Sequence, residues 1–138
     1  MEKRPLVNIL IIEKRGLLCK ELTRSLNEML PSKAKAVYSS DLASGIRDIR
    51  DLGNFHIIVL GSTATHTDGI TKLRLDLLRK AARRNTKLVL FAGSAPRDPL
   101  ALEVDGIAIK PNIPDLAKVL TLLIQNFGFG TFGEGMRS

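Results

Sequence analysis

Short apolar runs alternate along this chain with longer stretches in which apolar residues recur every three or four positions. A compact apolar run is typical of a buried strand, whereas the longer recurrence is typical of one face of a helix. Strands are predicted over residues 6–12, 34–38, 57–60, 88–92 and 106–109, and helices from Leu17 up to Pro31 and over residues 41–52, 69–84 and 113–127. The proline-containing segment between the fourth and fifth strands has room for about two further helical turns.

Strands that alternate with helices at this spacing predict parallel pairing through right-handed crossovers. We therefore expect an α/β protein with a flavodoxin-like, doubly wound, five-stranded parallel sheet. Its strand order would be 2-1-3-4-5, with helices on both faces and a short fourth helix. The 138 residues suit one domain over residues 1–126, followed by a glycine-rich tail or linker over residues 127–138.

The apolar faces of the helices predict how they pack. We expect Leu18, Leu22, Leu26 and Met29 to face the sheet from the first helix, Leu42, Ile46 and Ile49 from the second, and Ile70, Leu73, Leu77, Leu78 and Ala81 from the third. In the last helix, Leu116, Val119, Leu120, Leu123 and Phe127 would cover the sheet. Ala117, Leu122 and Ile124 widen its apolar arc and are a candidate interface for a homodimer.

A formal net charge of +7 is concentrated on the third helix and the turn that follows it. The basic face comprises Arg79, Arg83 and Arg84 together with Lys72, Arg74, Lys80 and Lys87. Basic surfaces of this kind neutralise phosphates, but stacking aromatics are absent from this one, and no helix-turn-helix is predicted. We favour a solvated or protein-docking face over direct DNA binding.

The remaining composition narrows the function classes. No apolar run approaches the length of a membrane span and no signal-peptide pattern is present, so we expect a cytoplasmic protein without membrane contact. Cys19 lies on the apolar side of the first helix and is interpreted as core filler. His56 and His66 have no second ligand at helical spacing, so neither a metal site nor a cofactor is expected.

The carboxyl end of the third predicted strand is the most informative position for chemistry. Residues 56–69 read HIIVLGSTATHTDG, a buried strand that breaks at Gly61 into a polar loop and then opens a helix. Ligands and reacting groups of open α/β sheets lie at the carboxyl ends of the strands. Gly61, which has no side chain, stands at that position.

This stretch resembles the phosphoacceptor strand of response-regulator receiver domains, including those of chemotaxis regulators. Gly61 stands where the family has its phosphorylated aspartate, and Glu13 and Lys14, in ILIIEK, stand at its magnesium-binding acidic pair. Ala92 takes the place of its threonine or serine, and Ile107, in DGIAIKP, takes that of its aromatic switch residue. Lys110-Pro111 match its lysine-proline pair. The first strand and helix are loosely similar to receivers that precede LuxR-type DNA-binding domains.

Aspartyl phosphorylation needs a carboxylate nucleophile and a cation held by oxygen ligands. Gly61 removes the nucleophile, and Lys14 places positive charge where the magnesium ion would sit. Ser62 is a weak substitute, because a hydroxyl would need its own activating base. The resemblance therefore implies a pseudo-receiver that is not an enzyme.

The resemblance implies that Lys110 would pair with the phosphoacceptor, and because Gly61 removes that group, Lys110 needs another partner. We favour a partly solvated ion pair with Glu13, for which Lys14 would compete. The alternative is an anion pocket in which Lys14 and Lys110 hold a phosphate-bearing small molecule, which would make the chain a ligand sensor.

The expected function is a non-catalytic signalling domain of two-component, phosphorelay-type regulation. It would act through a protein partner or an attached effector domain, such as the DNA-binding part of a transcription regulator.

Overall fold

The computed structural model describes residues 7–13, 16–62, 68–93, 103–110 and 112–125. Five parallel strands form one sheet in the order β2-β1-β3-β4-β5, as the sequence predicted. The elements are β1 (Val7–Ile12), α1 (Gly16–Met29), β2 (Ala34–Ser39), α2 (Leu42–Leu52), β3 (Ile57–Ser62), α3 (Asp68–Ala81), β4 (Lys87–Ala92), β5 (Gly106–Ile109) and α4 (Ile113–Gln125). The predicted short fourth helix and the glycine-rich tail lie outside the described residues.

Two apolar clusters cover the two faces of the sheet. Alternate residues of the central strands, such as Ile9 and Ile11, face α1 and α4, while Leu10 and Ile12 face α2 and α3. All four of these side chains are almost or fully buried. This burial on both faces explains why the strands read as unbroken apolar runs instead of alternating patterns.

Two helices differ from the predicted faces, α1 at one position and α3 by a rotation. In α1, Leu22 and Leu26 are buried as expected, but Met29, its last residue, is 48% exposed, and Leu30 just beyond it is buried instead. In α3, Leu75 and Leu78 are fully buried, whereas Leu73 and Leu77 are 61% and 40% exposed. Because leucines at positions 73, 75, 77 and 78 surround much of the helix, periodicity alone allowed two faces, and the predicted inward positions of Leu73 and Leu77 are wrong.

β3 also extends further than its apolar run. Gly61 and Ser62 belong to the strand and pair in register with Phe91 and Ala92 of β4. The neighbouring strand offers backbone partners that the composition of the segment does not reveal. The predicted break into a loop at Gly61 is therefore wrong, and Gly61 lies within the sheet.

Local signals did define the limits of α2. Asp41 is its N-cap and accepts a 2.7 Å hydrogen bond from the Ser44 N–H. That hydrogen bond holds the pKa of the Asp41 carboxyl below its ordinary value. Gly53 ends the helix with a φ of 65°, a left-handed conformation that glycine adopts at little cost.

Candidate functional site

The carboxyl edge of the sheet brings together three positions that lie far apart in the sequence. Glu13 follows β1, Gly61 lies in β3 beside it, and Lys110 follows β5. Strand pairing places Gly61 beside Phe91 and Phe91 beside Ala108, two residues before Lys110. Because side chains alternate along a strand, these positions share the face of the sheet that α1 and α4 cover.

Glu13 and Lys110 form an ion pair across this edge. Lys110 Nζ lies 2.5 Å from Glu13 Oε1, and the side chains are 11% and 1% exposed, respectively. The contact is ionic, without the angles of an aligned hydrogen bond. Lys110 Nζ also lies 5.8 Å from the centre of the Phe91 ring, within the range of a cation–π contact.

The missing side chain of Gly61 makes room for the Glu13 carboxylate. A Cβ atom built on Gly61 would overlap Oε1 of Glu13 and would lie 3.0 Å from its Cδ and 3.1 Å from the Ile12 carbonyl oxygen. The carboxylate therefore fills the space into which any side chain at position 61 would project. The acidic group at this edge is the Glu13 carboxylate, which follows β1.

Burial changes the energetics expected for this pair. A partly solvated pair, as predicted from the sequence, would be worth about 0–1 kcal/mol. Both partners are instead almost entirely buried, and removing one partner of a buried pair typically costs about 3–5 kcal/mol because the other charge is left uncompensated. The expected partner of Lys110 is correct and its expected solvation is wrong.

The anion pocket predicted at the Lys14/Lys110 edge gains no support from this arrangement. The Lys110 ammonium is held against Glu13, and its side chain has little exposed surface. Lys14, the competitor for Glu13 and the second cation of that pocket, lies outside the described residues.

Ala92 and Ile107, the other two positions from the resemblance, lie in β4 and β5. Ala92 is 4% exposed and accepts a 2.7 Å backbone hydrogen bond from Lys110 N–H, which anchors the residue that forms the ion pair. Ile107 is half-buried against the cluster beneath α2 and α3. Phe91 was not identified from the sequence. It precedes Ala92, and because side chains alternate along a strand it lies on the opposite face from Ala92, which is the face of its pairing partner Gly61.

The interface predicted on α4 needs correction. Ala117 is 6% exposed and Ile124 is fully buried in the core, so neither is available to a partner, whereas Leu122 is 56% exposed. The apolar residues extend around much of α4 because this helix covers much of one face of the sheet.

The basic face is only partly free. Arg79 lies 2.8 Å from the Asp76 carboxylate and donates a 2.6 Å hydrogen bond to the Glu103 carbonyl oxygen. Arg83 and Arg84, beyond the end of α3, are exposed.

His56 has a structural contact at the opposite edge of the sheet. Its Nδ1 accepts a 3.0 Å hydrogen bond from the Asn8 backbone N–H. Burial, with a smaller contribution from the positive charge of Arg83, lowers the pKa of His56 below its ordinary value. No cluster of three potential metal ligands, and no helix long and apolar enough to cross a membrane, occurs in the described part of the chain.

Comparison with solved structures identifies the fold. The RcsB response regulator of Salmonella typhimurium matches with a TM-score of 0.71 at 17% identity, over 88% of this chain and 61% of the RcsB chain. A protein assigned to pilus assembly (CpaE) from Burkholderia thailandensis matches at 0.69 and 14% identity, over 87% of this chain and 99% of the other. A signal receiver domain of a Clostridium thermocellum histidine kinase matches at 0.68 and 16%, over 87% and 98%.

No protein-family model and no curated protein sequence matches the chain. The structural matches nevertheless agree with one another and with the strand order. The chain therefore has the receiver-domain fold.

Proposed function

We propose that this chain is a receiver-like signalling domain that transmits information through protein contacts without aspartyl phosphorylation. The observation that carries the proposal is the replacement at the carboxyl edge. Gly61 offers no nucleophile, and the Glu13 carboxylate that fills its space is bound to Lys110. The domain is cytoplasmic, is not an enzyme and belongs to two-component-type regulation.

The Glu13–Lys110 ion pair supports a carboxyl edge that stays in one conformation without phosphorylation. In the receiver domains that the chain resembles, the lysine at the position of Lys110 pairs with the phosphoacceptor. Here Lys110 already has a carboxylate partner, supplied by β1 and shielded from water. Output would then depend on the amount of the domain and on its partners, not on a phosphoryl group.

Exposure of the purified chain to acetyl phosphate and Mg²⁺ tests the central claim. The intact mass should remain unchanged, because a phosphoryl group has no carboxylate acceptor at position 61. A receiver that retains its aspartate serves as the positive control for the reagents. An aspartyl-phosphate adduct on this chain would refute the proposal.

Gly61→Asp provides a sharper version of the same test. The new side chain would have to displace Glu13, so we expect a less stable protein that still fails to take up phosphate. Gly61→Asp combined with Glu13→Ala removes the overlap and controls for misfolding. It should also remain unmodified, because it lacks the acidic residue at position 13. Efficient phosphorylation of Gly61→Asp alone would contradict the proposed role of Glu13.

Self-association through α4 is a further part of the proposal, supported by the exposure of Leu122. Leu122→Lys should shift the chain towards monomer in sedimentation velocity. Leu52→Lys on α2 is the matched control, since Leu52 is 62% exposed and Leu122 is 56% exposed. Equal effects of the two variants would exclude α4 as the contact.

An attached effector domain completes the proposal. RcsB, of which this chain covers 61%, has been solved bound to a promoter, so a receiver fold can occur in a longer DNA-binding protein. An immunoblot of the native gene product should detect a protein much larger than this chain. A product of 138 residues would show that the domain acts alone.

A further inference from the structure

A cavity of about 340 Å³ opens between α2 and α3 at the amino edge of the sheet, opposite the Glu13–Lys110 pair. Its lining is part apolar and part polar, and Ile49, Phe55 and Ile58, each less than a tenth exposed, form its floor. Arg50 and Arg83 line the same cavity, and both are exposed to solvent. A recess that combines apolar and cationic groups fits a ligand that has a ring or apolar part and a negative charge.

A second cavity of about 360 Å³ adjoins the first and shares Arg83 with it. Arg84 and Lys87 add two cations to its lining. Arg79 also lines it, but its guanidinium already contacts the Asp76 carboxylate and the Glu103 carbonyl oxygen, so we do not assign it to the ligand. Asp105 is the acidic group of this lining, and its Oδ2 accepts a 2.8 Å hydrogen bond from the Leu88 N–H.

Four cations of the two cavities have no carboxylate partner among the described residues, although Asp105 lies in the same lining. Within those residues, Arg50, Arg83, Arg84 and Lys87 form no ion pair. The positive charge of Arg83 also contributes to the lowered pKa of His56. Like charges that line adjoining cavities repel one another, and a bound anion would relieve that repulsion.

We propose that the two cavities form one binding site for a small phosphorylated ligand of the nucleoside diphosphate class. Its ring would occupy the recess beside Ile49, Phe55 and Ile58, and its phosphates would contact Arg83, Arg84 and Lys87. Two phosphates match a set of cations that belongs to both cavities, with Arg83 shared between them. The recess favours a small ligand over a nucleic-acid backbone, because a duplex would meet the surface cations without entering the space beneath them.

This inference does not rest on the proposed function. The site lies at the edge of the sheet opposite Gly61, and the phosphorylation tests leave it untouched. A ligand held between α2 and α3 would give this domain an input that does not require a phosphoacceptor.

A chemical-shift titration of the whole chain with ADP and GDP tests the proposal, with pyrophosphate and inorganic phosphate as comparison probes. We expect saturable shifts of the amide signals of Gly53, Arg83 and Lys87. At least one nucleotide should bind about tenfold more tightly than pyrophosphate, since only the nucleotide can use the apolar recess.

Substitutions then separate a site from general attraction to a basic surface. Arg83→Ala and Arg50→Glu should each weaken nucleotide binding at least tenfold. Arg74→Ala, an exposed arginine of α3 that lines neither cavity, should change it less than twofold. Thermal midpoints of the variants, measured without ligand, check that each one folds.

Four results would overturn the proposal. They are the absence of saturable shifts with every probe, equal affinity for pyrophosphate and nucleotide, equal losses in Arg74→Ala and Arg83→Ala, and binding of a short DNA duplex to Arg83 and Lys87 that is tighter than nucleotide binding.

Discussion

The Glu13 carboxylate fills the space beside Gly61, and Lys110 forms an ion pair with that carboxylate. A glycine in the sheet is usually a weak point, because it has no side chain to pack. Here the gap is filled by a neighbour from the adjacent strand. The buried ion pair therefore depends on all three residues: Gly61 leaves the space, Glu13 fills it and Lys110 supplies the opposite charge.

A double-mutant cycle on Glu13 and Lys110 should reveal this coupling. Glu13→Gln and Lys110→Met should each lower the free energy of unfolding by about 3 kcal/mol, because each breaks a buried ion pair. The double variant should cost less than the sum of the two.

Urea unfolding measures all three variants. Glu28→Gln is the control, since Glu28 forms a 3.8 Å pair with Arg24 and its side chain is 68% exposed. If Glu13→Gln costs no more than Glu28→Gln, the buried pair contributes nothing to stability.

His56 should make stability depend on pH. Its pKa is lower in the folded protein than in the unfolded chain, so the unfolded chain binds the proton first as the pH falls. The contribution is fully present above about pH 6.5 and is lost as the pH falls through the lower, folded pKa. Protonation also removes the lone pair that accepts the Asn8 N–H.

Unfolding measured between pH 7 and pH 5 should therefore show a smaller pH slope in His56→Gln than in the parent chain. His66→Gln, which replaces the only other histidine, should keep the parent slope. The same slope in His56→Gln and the parent would show that another group is responsible.

At the scale of elements, α3 illustrates how tertiary packing chooses between two apolar faces. Leu75 is fully buried and Leu73 is 61% exposed, although both fit a helical repeat. Leu75→Ala should cost about 2–5 kcal/mol because it leaves a cavity in the core. Leu73→Ala should change stability by about 0.5 kcal/mol or less. Thermal or urea unfolding compares the two, and equal costs would mean that α3 is rotated from its described position.

β2 is an edge strand that α1 protects. The Asn27 side chain donates to the Ala36 carbonyl oxygen at 3.0 Å and accepts from the Ala36 N–H at 2.8 Å. It thus occupies backbone groups that could otherwise pair with another chain.

Asn27→Ala should cost about 1 kcal/mol, because the better helix propensity of alanine only partly offsets two lost hydrogen bonds. It should also increase self-association in light scattering at high concentration. Glu28→Ala, one position further along the exposed side of α1, is the control. An unchanged association state and stability in Asn27→Ala would show that the edge needs no cover.

At the scale of the whole molecule, the two edges of the sheet differ in what they offer. Among the described residues, the carboxyl edge is closed by the buried Glu13–Lys110 pair, and the amino edge carries exposed cations around two cavities.

The phosphoryl mimic BeF₃⁻, used with RcsB, should therefore have no effect on this chain. Backbone amide spectra recorded with and without Mg²⁺ and BeF₃⁻ should superpose, because no aspartate is available at position 61 to bind the mimic. A receiver with its aspartate provides the positive control. Shifts near Glu13 or Lys110 would show that the closed edge still accepts the mimic.

Sequence alone determined the α/β class and the absence of a nucleophile at position 61. These follow from local information, namely the length and spacing of apolar runs and the identity of one residue. The strand order was predicted because five alternating strand–helix units in one small domain are typical of the doubly wound arrangement. Only the tertiary structure decided which face of α3 is buried, that Glu13 fills the space beside Gly61, and that Arg50 and Arg83 line one cavity. Those features depend on contacts between segments far apart in the chain, and periodicity along one segment carries no information about the element that packs against it.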